Sequence, residues 1–153
     1  MSVTHTQLGS CFLGNGQAYI YILYSRNQRA LYVGQTSDQS GVVGRLCAHI
    51  SQGGTLRTRL YDHGVDLNDV DDLTVFAYRL PDDPRYTGID RAYREGVEYL
   101  VQKGLRLDTG ALRPALVIVS NVTYNEAATQ VSIQNTAQLV LEAFKTSYAA
   151  LGA

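Results

Sequence analysis

Four tyrosines, an arginine–histidine pair and two glutamates are the residues of this 153-residue chain whose types and spacing point to chemistry. Tyr19, Tyr21, Tyr24 and Tyr32 lie on two short runs rich in β-branched and aromatic residues. Tyr19 and Tyr21 are two apart, so on a strand their rings leave one sheet face. Arg45 and His49 stand at i, i+4 and project together from one side of a helix. Glu95 and Glu98 share the flank of a later helical stretch. Phenol, imidazole, guanidinium and carboxylate are the groups that phosphodiester hydrolysis asks for. They supply a base for water, a cation for the transition state and a hold on a divalent ion. Singly, each has an ordinary explanation: a half-buried strand tyrosine, a surface arginine, a helix histidine, a solvated glutamate. Their conjunction singles them out.

The elements that must position them follow from patterning. Residues 18–25 and 30–36 read as a β-hairpin around the polar turn Arg26-Asn27-Gln28-Arg29. A helix is expected over about 42–51, with Ser40 as its N-cap and Gly53-Gly54 as its stop. Val42, Val43, Leu46, Cys47 and Ile50 form its apolar stripe, with Arg45 and His49 beside it. A second helix, about 55–63, buries Leu56 and Leu60 and carries Arg57 and Arg59. The aspartates between Asp66 and Asp72 fit no cation loop and read as a solvated turn. A strand over 73–80 ends at Pro81. Thr87-Gly88-Ile89-Asp90 resembles a capping box for a helix over about 89–103 closed by Gly104, with Tyr93, Val97, Leu100 and Val101 inward. The apolar run 115–120 reads as a buried strand, and a helix over 135–150 buries Val140, Leu141, Phe144 and Tyr148. The fold class expected is α/β: a small mixed sheet of the hairpin plus a third strand, flanked by helices.

Tyr19-Ile20-Tyr21, ten residues, Tyr32-Val33-Gly34, then Thr36, Arg45 and a later glutamate together resemble the GIY-YIG nuclease family. Tyr19 stands where the first motif has glycine. The resemblance is specific over about 18–50, looser to about 104 and absent beyond. It implies a nuclease core over about 18–104 within a single domain, with 105–153 as a C-terminal strand–helix elaboration. It also implies a divalent-metal-dependent endonuclease acting on DNA. Tyr21 and Tyr32 would be the hairpin tyrosines, Arg45 the phosphate-binding arginine, and His49 a base or phosphate ligand found in a subset of members. Glu98 would hold Mg2+ or Mn2+. Glu95 is the second choice, because Glu98 has the apolar neighbours Val97 and Val101 that the family places around its glutamate. Asn121 would be the supporting asparagine. Gly34 would give a substrate phosphate room, or mark a close approach within the strand.

Composition sets the outer bounds. Apolar residues make up 45% and charged residues 18% of the chain, values of an ordinary globular domain. Net charge is −1, which argues against strong non-specific binding of nucleic acid. The charge is unevenly spread, however. Residues 1–64 carry five arginines against Asp38 and Asp62, whereas residues 65–153 carry eight bases against twelve acids. Arg57 and Arg59 belong to the basic half and are candidate substrate contacts. No apolar run is long enough to span a membrane. Met1-Ser2-Val3-Thr4-His5 lacks the marks of a signal peptide, so a cytoplasmic location is expected. Cys11 and Cys47 lack metal-ligand spacing and read as two free buried thiols. The alternative function is a catalytically inactive module of the same build that binds nucleic acid or protein. A third reading makes the C-terminal helix an assembly surface, with a dimer that Tyr148→Lys would disrupt. A homodimer would also suit an enzyme cutting both strands of a duplex.

Overall fold

The computed structural model describes residues 14, 16–108 and 116–151. Residues 1–13, Cys11 among them, lie outside the described residues.

The hairpin forms as its pattern demands. Strand β1 (Tyr19–Ser25) pairs antiparallel with β2 (Ala30–Thr36) in the register Tyr21↔Gly34 and Leu23↔Tyr32. Its turn places Arg29 at φ +50°. The aspartates that looked merely solvated clamp that turn. Asp72 accepts from the Ser25 hydroxyl at 2.5 Å and the Asn27 amide at 2.8 Å, and Asp71 accepts from the Asn27 side chain. Strand β3 (Thr74–Arg79) pairs antiparallel with the other edge of β1. Strand β4 (Val117–Ile118) pairs parallel with β2 and completes a mixed sheet of order β3-β1-β2-β4.

Helix α1 (Gly41–Ile50) and α2 (Thr55–Asp62) follow the hairpin. Between β3 and β4 come the short α3 (Pro84–Thr87) and the long α4 (Ala92–Leu107), and α5 (Val131–Ala150) comes last among the described elements. The sheet therefore has two covered faces. Ile20, Ile22, Tyr24, Leu31 and Val33 pack under α4 and α5 through Val97, Val101, Ile133 and Phe144. Tyr19, Tyr21, Leu23 and Tyr32 face the other way, against Val42, Leu56, Leu60 and Leu67. The C-terminal helix is thus one of the two lids on the sheet.

Several expectations are corrected. Ser40 does not cap α1 by its side chain: its hydroxyl and its amide both bind Asp38 Oδ1, at 2.8 and 2.9 Å. Ile50 faces solvent and Cys47 is an exposed free thiol, whereas His49 is the buried member of that turn. The helix expected over 89–103 runs over 92–107 as α4, and the short α3 precedes it. Asp83 caps α3 with Pro84 at its first position, a stronger start signal than Thr87. Asp90 then accepts from the Ala92 amide to open α4. Gly104 does not end α4. A Cβ there would come within 2.5 Å of Leu141 Cδ1, so this glycine serves close packing against α5. Helix α5 begins at Val131 rather than near 135. Among the described residues of the 115–120 run only two form a strand, because the Ser120 hydroxyl takes the Val33 amide that a longer ladder would have used. Val117 is exposed, not buried. Tyr148 is 3% exposed within the core, so Tyr148→Lys would unfold the chain rather than report on a dimer. Among the described residues, no helix is long and apolar enough to cross a membrane.

Candidate active site

Gly34 lets the site form. On β2 it faces Tyr21 across the hairpin, and a Cβ there would lie 2.4 Å from both Cζ and the hydroxyl oxygen of Tyr21. The phenol therefore lies flat over the glycine. Tyr32, two residues earlier on the same face, stacks beside it with ring centroids 6.5 Å apart and planes 18° apart. In the structure the room expected for a substrate phosphate is filled by the Tyr21 ring.

His49 enters from α1, the helix covering this face. Its Nε2 lies 2.5 Å from the Tyr21 hydroxyl, and its ring centroid is 5.7 Å from that of Tyr21 and 5.0 Å from that of Tyr32. Burial pushes its pKa down to about 4, with the Arg45 charge adding to the effect. Burial pushes the Tyr21 phenol far above its ordinary value, chiefly by desolvation and then by the Tyr32 charge, against the pull of Arg45. Near pH 7 the imidazole is therefore neutral and the phenol protonated. Tyr21 donates to His49 Nε2.

Arg45, one turn before His49, is exposed, and its charge bears on Tyr21, Tyr32, His49 and Glu98. Glu98 comes from α4 and is half-buried. Desolvation, then repulsion from Glu95, pushes its carboxyl up to about 8, against the attraction of Arg45. Tyr32 is pushed up to about 12 by burial and next by Glu98. Five residues from β1, β2, α1 and α4 are thus linked at one place, Arg45 acting on the other four and Glu98 on both tyrosines. Glu95 lies outside this group: it acts on Glu98 and on Arg94, not on the tyrosines.

The other candidates divide. Arg59, on α2, brings its charge to bear on Tyr32. Arg57 is a latch instead, bonded to the Ile50 carbonyl at 3.2 Å and to Asn68 at 3.2 Å, with Asp66 at 3.7 Å. Asn121 is exposed in the segment after β4, with no side-chain hydrogen bond among the described residues. Its neighbour Val122 donates its amide to Gln102 Oε1, and Gln102 donates to Glu98 Oε1, each at 3.3 Å. Gln102, 1% exposed, is a residue sequence reasoning missed. Its i+4 spacing from Glu98 was the available signal.

The two shifted groups give the protein a readable pH signature. An unfolded His49 titrates near 6.5 and the folded one near 4, so the unfolded state binds the extra proton between those values. Stability contributed by His49 therefore rises with pH across that window. Glu98 runs the other way: neutral up to about 8 when folded and only to about 4.5 when unfolded, it lowers stability as pH rises between them. The slopes oppose each other from about 4.5 to 6.5, and that of Glu98 stands alone above. Urea unfolding in EDTA should show His49→Phe losing stability steadily from pH 4.5 to 8. Glu98→Gln should gain stability up to about 6.5 and then level off. Parallel pH profiles for both variants and the wild type would contradict these environments.

Set against protein-family models, curated proteins and solved structures, the chain finds no match in any of the three comparisons.

Proposed function

We propose that this protein is a divalent-metal-dependent endonuclease of the GIY-YIG type, hydrolysing DNA phosphodiester bonds. The observation that carries the reading is the convergence of Tyr21, Tyr32, Arg45, His49 and Glu98, scattered over 78 residues of sequence, in one electrostatically connected cluster. Arg45 is the exposed cation, hydrogen-bonded towards Tyr21 and placed to take the non-bridging oxygens of a phosphate. Tyr21 takes a proton from the attacking water while its own passes to His49 Nε2. His49 thereby becomes an imidazolium, which burial disfavours, so the charge is short-lived and the proton returns through Tyr21 to the leaving oxygen as it departs.

The residues fit a magnesium-type ion. No three His, Cys, Asp or Glu side chains come together among the described residues. Mg2+ or Mn2+ does not need them, since such ions keep several waters and take one or two carboxylates plus substrate phosphates. Glu98 would hold it, with Glu95, whose charge bears on Glu98, as the second choice. When bound, the ion would offset charge on the phosphate and on the leaving oxygen. Incubation of plasmid and single-stranded DNA with purified protein should give cutting in Mg2+ or Mn2+ and none in EDTA. Undiminished cutting in EDTA would overturn the metal dependence.

A second reading rests on burial: Tyr21 and His49 are 1% and 2% exposed, so their bond also works as a core contact stiffening the hairpin. The protein would then be a module that binds DNA or protein without cutting. A well-folded wild type that binds DNA yet cleaves neither substrate in any metal would decide for it.

A further inference from the structure

Beside Arg45 a polar cleft of about 200 Å³ opens between the end of β2 and the start of α4, lined by the 35–38 segment, Arg45, Arg91 and Arg94. Three guanidinium groups face one carboxylate, that of Asp38, which is already occupied by Ser40. Arg94 is the unusual member. It is 3% exposed, yet no carboxylate lies within 4 Å of it among the described residues. Its Nε donates to Gln35 Oε1 at 2.9 Å, and its Nη1 donates to the carbonyls of Tyr86 at 2.5 Å and Gly88 at 2.8 Å. Neutral acceptors thus hold the fork in place through Nε and Nη1 and leave its charge without a paired carboxylate. Asp90 and Glu95 act on it only from further away, and Arg91 repels it. A buried charge without a counter-ion is costly, and such a position is kept where an anion completes it.

We propose that this cleft is a phosphate subsite for a nucleic-acid strand, taking the phosphate next to the one held by Arg45. The assignment rests on the nuclease reading for its ligand. Arg94 precedes Glu98 by four residues on α4, about 6 Å along the helix axis. A strand seated at Arg45 and Glu98 would therefore run its neighbouring phosphate into the cleft. Gln35 and the Tyr86 and Gly88 carbonyls orient Arg94, and Arg91 supplies the second charge at the rim.

The test is binding of a short single-stranded oligonucleotide in EDTA, followed by fluorescence anisotropy across a salt series. Arg91→Gln and Arg94→Gln should each weaken binding several-fold. Each should reduce the slope of log affinity against log salt by about 0.7 for one lost phosphate contact. Arg85→Gln removes the same charge away from the cleft and should change neither quantity. Arg91 is exposed, so its variant carries the test even if Arg94→Gln folds poorly. A wild-type slope in Arg91→Gln, or an equal drop in Arg85→Gln, would overturn the subsite. So would calorimetric binding of inorganic phosphate by a protein whose Arg91→Gln variant still holds the oligonucleotide normally, since the cleft would then serve a free anion. The two proposals fail separately. A wild type that shows Arg91-dependent slopes but never cuts keeps the subsite and loses the nuclease. One that cuts while Arg91→Gln keeps its slope does the reverse.

Discussion

Arg45→Ala and Glu98→Gln should each lower the rate of plasmid nicking in saturating Mg2+ by about 10²–10³-fold while leaving the fold intact. The magnitude is that of removing one group aimed at developing charge in a reaction site. Folding is spared for different reasons in the two cases. Arg45 is exposed, and loss of an exposed side chain costs within about 0.5 kcal/mol. In Glu98→Gln an amide replaces a carboxyl that burial already holds neutral up to about 8, and it retains an oxygen for Gln102. If the two groups serve one event, as proposed, the double variant should be scarcely slower than the worse single one. Activity surviving in Glu98→Gln but lost in Glu95→Gln would move the metal to Glu95. Full activity in both Arg45→Ala and Glu98→Gln would remove the cluster from the reaction altogether.

Gly34→Ala should cost about 1–3 kcal/mol of stability and most of the proposed activity, by one steric cause. The added methyl would sit 2.4 Å from Tyr21 Cζ and 2.7 Å from Cε2, inside atoms that cannot be compressed. The ring must swing away, which breaks the bond to His49 Nε2 and the stack on Tyr32. Tyr21→Phe should rescue little, because the clash involves ring carbons as well as oxygen. Tyr21→Leu should rescue much of the stability and none of the activity. A thermal and urea double-mutant cycle reads this as a coupling energy of opposite sign to the single losses. Additive losses in Gly34→Ala/Tyr21→Leu would mean that the glycine is needed for some other reason.

The hairpin and the cluster were legible because their signals are local. Two-residue periodicity puts Tyr21, Tyr32 and Gly34 on one face, and a four-residue interval aims Arg45 and His49 together. What failed needed knowledge of partners distant in sequence. Nothing near Ile50 tells that His49, rather than Ile50, turns inward, since the deciding contacts come from Tyr21 and Tyr32. The break between α3 and α4 was hidden for the same reason. The carbonyls freed at Tyr86 and Gly88 are satisfied by Arg94, on the following helix. A capping box reads adequately only when no stronger start lies upstream, and here Asp83-Pro84 does. The two-residue length of β4 depended on one hydroxyl, that of Ser120, borrowed by β2. Arg57 shows the limit of composition: its charge is real, but it is spent on Ile50, Asn68 and Asp66 within the fold.

The order of synthesis gives the two-lidded sheet a vulnerable period. Ile20, Ile22, Leu31 and Val33 emerge in the first strands, but Ile133 and Phe144, which cover them, belong to α5. At about 5–20 residues per second, roughly 5–20 s separate the second strand from that helix. During this interval the nascent hairpin shows an apolar face and an unpaired edge, the two features that invite aggregation or a chaperone. Release of the chain before α5 is made would leave that state permanent, so a fragment ending near residue 108 should accumulate in the insoluble fraction.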